Sequence, residues 1–268
     1  MQYPASFLKV LTIMSDSKYT NKRNFTKEHS FKGSGKITAI EVQKTNAERV
    51  NIFIEGIYAF SLTMLVAAEH HLKSGLELSA KEIGELQAAD LYNLGLAAAL
   101  ELLSRRPRSE AEVYQRLKRR YPEGSDKTFK RVVERLKELN YLNDTDFARY
   151  WIENRLACAP RGRLLLQQEL LKLGLAREII ETALATYLEV PNDAQGETAD
   201  EESGLSIEEG QALILARKKA RGYAGEDWAG FYRKLGGFLL RRGYDYGLTG
   251  RITKQVWKEL KESQSSSQ

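Results

Sequence analysis

The sequence predicts a mainly α protein: tandem three-helix repeats in an elongated, curved array, behind a small N-terminal α+β extension of about three short strands. Three observations carry that prediction. Period-2 alternation of apolar residues is confined to a short stretch near residues 36–60. From about Leu91 onward the apolar residues follow helical spacing instead. One pattern is also written twice: Pro107-Arg108 followed by Val113 and Leu117, then Pro160-Arg161 followed by Leu166 and Leu170, at an offset of roughly 53 residues. A unit that recurs at this period has one apolar face and gains its burial from its neighbours.

The elements follow in order. Residues 1–35 form a Ser/Lys/Asn-rich basic arm with little periodicity, expected to be disordered and dispensable. Residues 36–90 make the α+β domain. Ile40 and Val42 alternate, as do Val50, Ile52 and Ile54, with turn signals at Thr45-Asn46 and Glu55-Gly56. Ser61 is placed to cap a helix reaching about His71, and Ser79-x-x-Glu82 is a capping box. Repeat one spans 91–142: Leu91, Leu94, Ala98 and Leu102, then Ser109-x-x-Glu112 opening a helix with Val113 and Leu117, then Phe129 to Leu139. Repeat two spans 143–190. Asp144 or Asp146 opens a helix with Phe147, Trp151 and Ile152; "APRG" stops it; Leu166 and Leu170 follow, "KLGL" breaks the chain, and Ile180 to Tyr187 close the unit. Residues 191–205 read as a solvated acidic linker. Repeat three spans 206–262, opened by the Ser206-x-x-Glu209 box, with an apolar stripe of Trp228, Phe231, Leu235, Phe238 and Leu239 and a last helix through Leu248, Ile252, Val256 and Leu260. Residues 263–268 are a tail.

Composition narrows the function classes. The 268 residues carry 41 Lys and Arg against 36 Asp and Glu. The single Cys excludes an internal disulfide framework and fits a reducing compartment, so a cytoplasmic protein is expected. There is no Cys/His pattern with zinc spacing, no phosphate-cradling G-x-x-x-x-G-K-[ST] loop, no G-x-S-x-G elbow and no H-E-x-x-H, so neither an enzyme nor a cofactor or metal is expected. His70 and His71 are adjacent and point apart on a helix. Asp144 and Asp146 read as helix-start carboxylates, and Cys158 has no histidine nearby in sequence. No apolar run is long enough for a membrane span.

The charge is blocked. Residues 105–120 carry a net charge of +5, residues 191–209 carry −7, and residues 211–260 carry +7. Arg105, Arg106, Arg108, Arg116, Arg119 and Arg120, with Lys118, flank the second helix of repeat one. Arg155, Arg161 and Arg163 occupy the matching elbow of repeat two, and Lys218, Lys219, Arg241 and Arg242 that of repeat three. With repeats in register, these would form a stripe suited to phosphates or acidic protein faces, without base specificity. Each Pro-Arg elbow is expected to leave the next helix N-terminus open as an anion seat. The competing reading is local capping and ion pairs such as Arg149–Glu153. Tyr114, Tyr121, Tyr150 and Trp151 are stacking candidates, although Trp151 with Phe147 reads more naturally as core.

The stretches "LLSRRPRSEAEVYQRL" (102–117), "RLKELNYLNDTDFARYWIENR" (135–155), "PRGRLLLQQELLKLGL" (160–175) and "FLLRRGYDYGLTGRI" (238–252) resemble the RecX family, regulatory proteins that modulate the recombinase RecA. The resemblance covers roughly residues 36–260. It implies three tandem three-helix repeats in an elongated crescent, and a protein that binds within the groove of the RecA–DNA filament and suppresses ATP hydrolysis, strand exchange and filament extension. It also implies a weaker, non-specific affinity for single- or double-stranded DNA in some members. A monomer is expected. The acidic insert before repeat three and the long basic arm depart from the family pattern. The alternative is a non-sequence-specific DNA-binding helical repeat with no RecA partner.

Overall fold

The computed structural model describes residues 33–188 and 205–265. The tail 263–268 is described only as far as Ser265, the arm 1–35 lies outside these residues except for its last three, and of the acidic linker only Leu205 falls within them. The chain forms two compact units. One comprises residues up to 106 together with 114–139, and the other comprises 107–113 and everything from Asn140 onward.

The first unit opens with strands β1 (Gly35–Gln43), β2 (Asn46–Ile54) and β3 (Ile57–Thr63), a short helix α1 (Met64–Glu69) and a two-residue strand β4 (Glu77–Leu78). All pairings are antiparallel, in the order β3-β2-β1-β4. Glu55 and Gly56 both take positive φ, as a tight two-residue hairpin between twisted strands requires. Ile37, Val50, Ile52, Ile54, Phe60 and Leu62 fill one face and meet Val66, Leu78, Ile83 and Leu86. Val42, which the alternation placed inside, is 54% exposed. The fourth strand was not expected, because two residues carry no period. Ser61 does not cap a helix: it lies in β3, where its carbonyl and hydroxyl accept from Arg49 Nη2 at 3.0 and 3.2 Å.

Helix α2 (Ala80–Arg105) starts at the Ser79 capping box and runs without a break through position 90. Its buried Asp90 ties it to the sheet. The carboxylate accepts from Thr63 N–H at 2.6 Å and from Arg49 Nη2 at 3.1 Å. Helix α3 (Glu110–Arg120) fully buries Leu117. The second half of α2, with Ala98, Ala99 and Leu103 buried, packs on α4 (Asp126–Glu138), whose Phe129, Val132 and Leu136 are fully buried. These helices build repeat one.

The second unit holds repeats two and three. Repeat two is α5 (Asp144–Cys158), α6 (Arg163–Lys172) and α7 (Arg177–Leu188), closed over Phe147, Ile152, Leu166, Leu170, Ile180 and Leu184. Repeat three is α8 (Ile207–Ala220), a 3₁₀ turn (Arg221–Tyr223), α9 (Trp228–Arg241) and α10 (Tyr246–Ser265), closed over Leu213, Phe231, Leu235, Leu239, Ile252 and Val256. The Ser206 capping box forms as expected. At the start of α5 the cap is Asn143, whose side chain accepts from Thr145 and Asp146 N–H. Arg149 pairs with Asp146 at 3.1 Å rather than with Glu153. Trp228, read from its spacing as part of the buried stripe, is 40% exposed at the first turn of α9. No helix among the described residues is long and apolar enough to cross a membrane.

Successive middle helices join head to tail within this unit. Helices α6 and α9 end at Gly174 and Gly243, both with positive φ. Each closes with a pair of returning bonds, Leu175 N–H to Leu170 O with Gly174 N–H to Leu171 O, and Tyr244 N–H to Leu239 O with Gly243 N–H to Leu240 O. This is the Schellman arrangement. The elbow of the preceding repeat then docks on the carbonyls left over. Ser109 Oγ donates to Leu173 O at 2.6 Å, while Gly162 N–H and Leu164 N–H donate to Arg242 O and Gly243 O at 2.9 and 3.1 Å. A Cβ on Gly174 would overlap Ala111, and one on Gly162 or Gly243 would overlap the facing backbone or Leu165.

Two measurements check this packing. Gly243→Ala places a side chain at positive φ and against Leu165, and should cost more than ~2 kcal/mol in chemical denaturation. Gly210→Ala, in a helix with open space around it, should be neutral or stabilising by up to ~1 kcal/mol. In the first unit, Asp90→Ala strands the mostly buried Arg49 guanidinium and should lower stability by about 3–5 kcal/mol.

Candidate functional site

The basic residues singled out by the sequence divide by what they touch. Arg108, just before α3, reaches forward to Glu112 in the helix's first turn at 3.6 Å, with only 9% of its side chain exposed. Arg105 and Arg120 both lie against Glu101, at 2.7 and 3.6 Å. Arg106 is exposed at the C-terminal cap of α2. Arg116 and Arg119 project from the solvent side of α3 and have no ion-pair partner among the described residues. They lie outside the periodic apolar positions Val113 and Leu117, which is why they face water.

At the elbow of repeat two, Arg155 and Arg161 converge on one carboxylate. Arg155 Nε lies 2.8 Å from Glu169, and Arg161 pairs with the same side chain. Glu169 also accepts from Trp151 Nε1 at 2.9 Å, and Arg155 stacks over the Trp151 ring at 4.5 Å. Arg242 of repeat three arrives at the same place, donating to Pro160 O at 3.3 Å. Burial, and secondarily the charges of Arg155 and Arg242, holds the Arg161 guanidinium below its ordinary pKa. Two guanidiniums thus share one carboxylate with a third beside them at Pro160, and Arg155 and Arg161 keep 27% and 29% of their side chains in solvent. The junction leaves an excess of positive charge in a fixed geometry.

Arg163 faces elsewhere. Its side chain pairs with Glu181 at 2.7 Å, and its backbone N–H donates to Glu208 at 2.7 Å. Burial raises the Glu208 carboxyl above its usual pKa, against the lowering effect of that N–H. In repeat three, Lys218 and Arg241 are exposed and unpaired among the described residues. Lys219 lies over the rings of Tyr223 and Phe238, and Arg242 also stacks on Phe238.

One expectation is overturned. The elbow N-termini are not open anion seats. Glu110 N–H donates to Asp144 Oδ1 at 2.9 Å, Glu112 N–H to Ser109 Oγ at 3.1 Å, and the N–H groups of residues 162–164 are taken by Arg242 O, Glu208 and Gly243 O. Donors aimed at a helix end are satisfied by the next repeat, which sequence spacing cannot show. The carboxylates that hold the arginines, Glu169 and Glu181, also escaped notice, since their partners lie 8 to 18 residues away across a fold. Asp144, read as a cap of its own helix, instead receives the first N–H of α3. Among the described residues no group of three His, Cys, Asp or Glu could hold a metal ion.

This architecture has relatives. Family models match in chain order: the regulatory protein RecX N-terminal domain over residues 35–79, and the RecX first, second and third three-helix domains over 96–136, 143–184 and 208–252. The chain is 35% identical over 168 residues to regulatory protein RecX of Listeria monocytogenes serotype 4a (strain HCC23), covering 63% of this chain and 61% of that protein. It is 36% identical over 163 residues to that of Bacillus pumilus (strain SAFR-032), covering 61% and 60%. The matched stretch therefore spans about three fifths of these relatives. A crystal structure of regulatory protein RecX superposes with a TM-score of 0.59 at 23% identity, over 82% of this chain and 98% of that one. That of RecX from Lactobacillus salivarius gives 0.52 at 23%, over 63% and 97%; at this identity both show the shared fold alone. With all four modules present in order and the sequence relatives agreeing, the chain belongs to the RecX family of regulatory proteins.

Proposed function

We propose that this protein binds RecA and the RecA–DNA filament and inhibits its ATPase, strand exchange and filament extension, regulating recombination and DNA repair. The observation that carries this reading is the complete set of RecX modules in order. The protein acts by binding, with no chemistry of its own, as a cytoplasmic monomer. The cations at the helix junctions are the contact residues. Arg155, Arg161 and Arg242 form a rigid cationic cluster, and Arg116, Arg119, Lys218 and Arg241 add charges that no internal carboxylate neutralises among the described residues. Arg105, Arg106, Arg108, Arg120, Arg163 and Lys219 stand behind these, held by local partners. Phosphates of the bound DNA and acidic faces of the filament are both suitable counterparts. The second reading, a DNA-binding helical repeat without a RecA partner, rests on the same unneutralised cations.

ATP hydrolysis by RecA on single-stranded DNA separates the two. A regulator acts far below the concentration needed to coat the DNA, whereas a plain DNA binder inhibits only when it covers the lattice. Arg116→Ala with Arg119→Ala and Arg241→Ala should leave the melting temperature unchanged and weaken inhibition several-fold. The same triple variant should reduce the salt slope of any direct DNA binding, by about one unit for each phosphate that the protein no longer neutralises. Wild-type inhibition by a folded triple variant would remove these cations from the interface.

A further inference from the structure

Repeat three carries a surface that the charge stripe does not include. On α10, Tyr246, Gly250, Lys254, Trp257 and Lys261 follow each other at i, i+4, i+8, i+11 and i+15, which places them along one side of the helix. On α9, Trp228 and Tyr232 stand one turn apart and face the same side. Trp228 lies 5.3 Å from Tyr232 and 5.6 Å from Trp257 between ring centroids, and a Cβ on Gly250 would be 3.6 Å from the Tyr232 hydroxyl. The absence of a side chain at Gly250 leaves Tyr232 room beside α10.

Trp257 leans on the core, 4.8 Å from the Phe231 ring, but the other three aromatics do not belong to it. Phe231, one residue from Tyr232, is fully buried, yet Trp228 and Tyr232 are 40% and 41% exposed and Tyr246 is 81% exposed. Exposing three large rings on one small bundle forfeits hydrophobic stabilisation of about 25 cal/mol per Å² left in water. The cations are arranged among them. Lys261 sits 4.6 Å from the Trp257 centroid, and Lys254 is exposed between Tyr246 and Trp257 with no partner among the described residues. The neighbouring carboxylates have other partners: Glu226 pairs with Lys234, Asp227 accepts from the Gly230 N–H at the cap of α9, Asp245 accepts from the Leu248 N–H, Glu259 pairs with Arg217, and Glu262 pairs with Lys258. Helix α9 itself contains Arg233, Lys234 and Arg241 and no acidic residue.

We infer that this face of α9 and α10 is a binding platform for single-stranded nucleic acid, with Tyr246, Tyr232 and Trp228 stacking on bases and Lys254 and Lys261 meeting phosphates. Exposed rings interleaved with unneutralised lysines match a ligand that has π-faces joined by an anionic backbone. Duplex DNA fits poorly, because its base faces are covered by their own neighbours. The stripe from Tyr246 to Lys261 is about 22 Å long at the rise of an α-helix, long enough for a run of several nucleotides. The platform's stacking rings and its two lysines are separate from the cations proposed to meet RecA, and its binding assay needs no recombinase.

The test uses the full chain and a fluorescently labelled 15-nucleotide oligo(dT), with a duplex of the same length as comparison. Anisotropy should show tighter binding to the single strand, and tryptophan emission should be quenched on binding. The third tryptophan, Trp151, lies in repeat two, so quenching should persist in Trp151→Phe. Trp228→Ala and Tyr246→Ala should each weaken oligo(dT) binding on the order of tenfold. Lys254→Glu with Lys261→Glu should flatten its salt dependence, with an unchanged melting temperature. Tyr246 is so exposed that its variant keeps the test valid if Trp228→Ala perturbs the fold. Equal or tighter binding of duplex, binding without quenching, or wild-type affinity in the folded Tyr246 and lysine variants would overturn the platform. So would variants that keep oligo(dT) affinity but lose RecA inhibition, since the face would then dock protein.

Discussion

The junction between the middle helices of successive repeats is the constraint on which the rest of the second unit depends. Helix α6 ends at Gly174 and α9 at Gly243, and both glycines adopt a backbone that a side chain would strain. Their missing Cβ atoms admit the elbow of the preceding repeat to direct backbone contact. The elbow's N–H groups and hydroxyl then satisfy carbonyls that the helix end leaves without partners. The helix dipoles meet with opposite signs, so the arrangement is also favourable electrostatically. Within the second unit this backbone device sets the register of repeat two on repeat three.

Repeat one shows what happens where no elbow arrives. The position four residues after Leu117, equivalent to Gly174 after Leu170 and Gly243 after Leu239, is Tyr121. Its hydroxyl donates to Leu94 O on α2 of the same repeat, at 3.4 Å. The first repeat has no predecessor to receive, and a large side chain there closes its own bundle. What precedes it is the sheet, joined through Asp90, Arg49 and the Thr63 N–H, a polar tie that takes the place of a helix junction.

Packing within each repeat decides most of the electrostatics, and the junction adds Arg242 beside Pro160. Opposite charges brought within a few ångström in a partly buried setting are held more firmly than surface pairs, because water screens them less. Glu169 therefore fixes Arg155 and Arg161, and Glu112 holds Arg108, whereas the Arg163–Glu181 pair is exposed to solvent. Much of the positive charge counted along the sequence is spent on the architecture. The remainder includes the three guanidiniums beside Pro160, the outer side of α3, Lys218 and Arg241 of repeat three, and the lysine-bordered aromatic face of the same repeat.

Residue spacing was enough to reveal the repeat, its helices and most of its core. The apolar spacing of Val113 and Leu117, Leu166 and Leu170, and Leu235 and Leu239 reports local geometry, and a helix must bury whichever stripe its period creates. The capping boxes at Ser79 and Ser206 were legible for the same reason, since donor and acceptor lie within one turn. The elbows were visible as Pro-Arg pairs, but their meaning was not. Whether an N–H is free, whether an arginine is neutralised, and whether Trp228 is core or surface depend on groups far away in the chain. Glu169 meets Arg155 only after the helices of repeat two have packed, and Arg242 meets Pro160 only after repeat three has docked on repeat two. Period and capping are properties of a helix, whereas charge balance and exposure belong to the neighbours that folding supplies, and those only the tertiary structure decided.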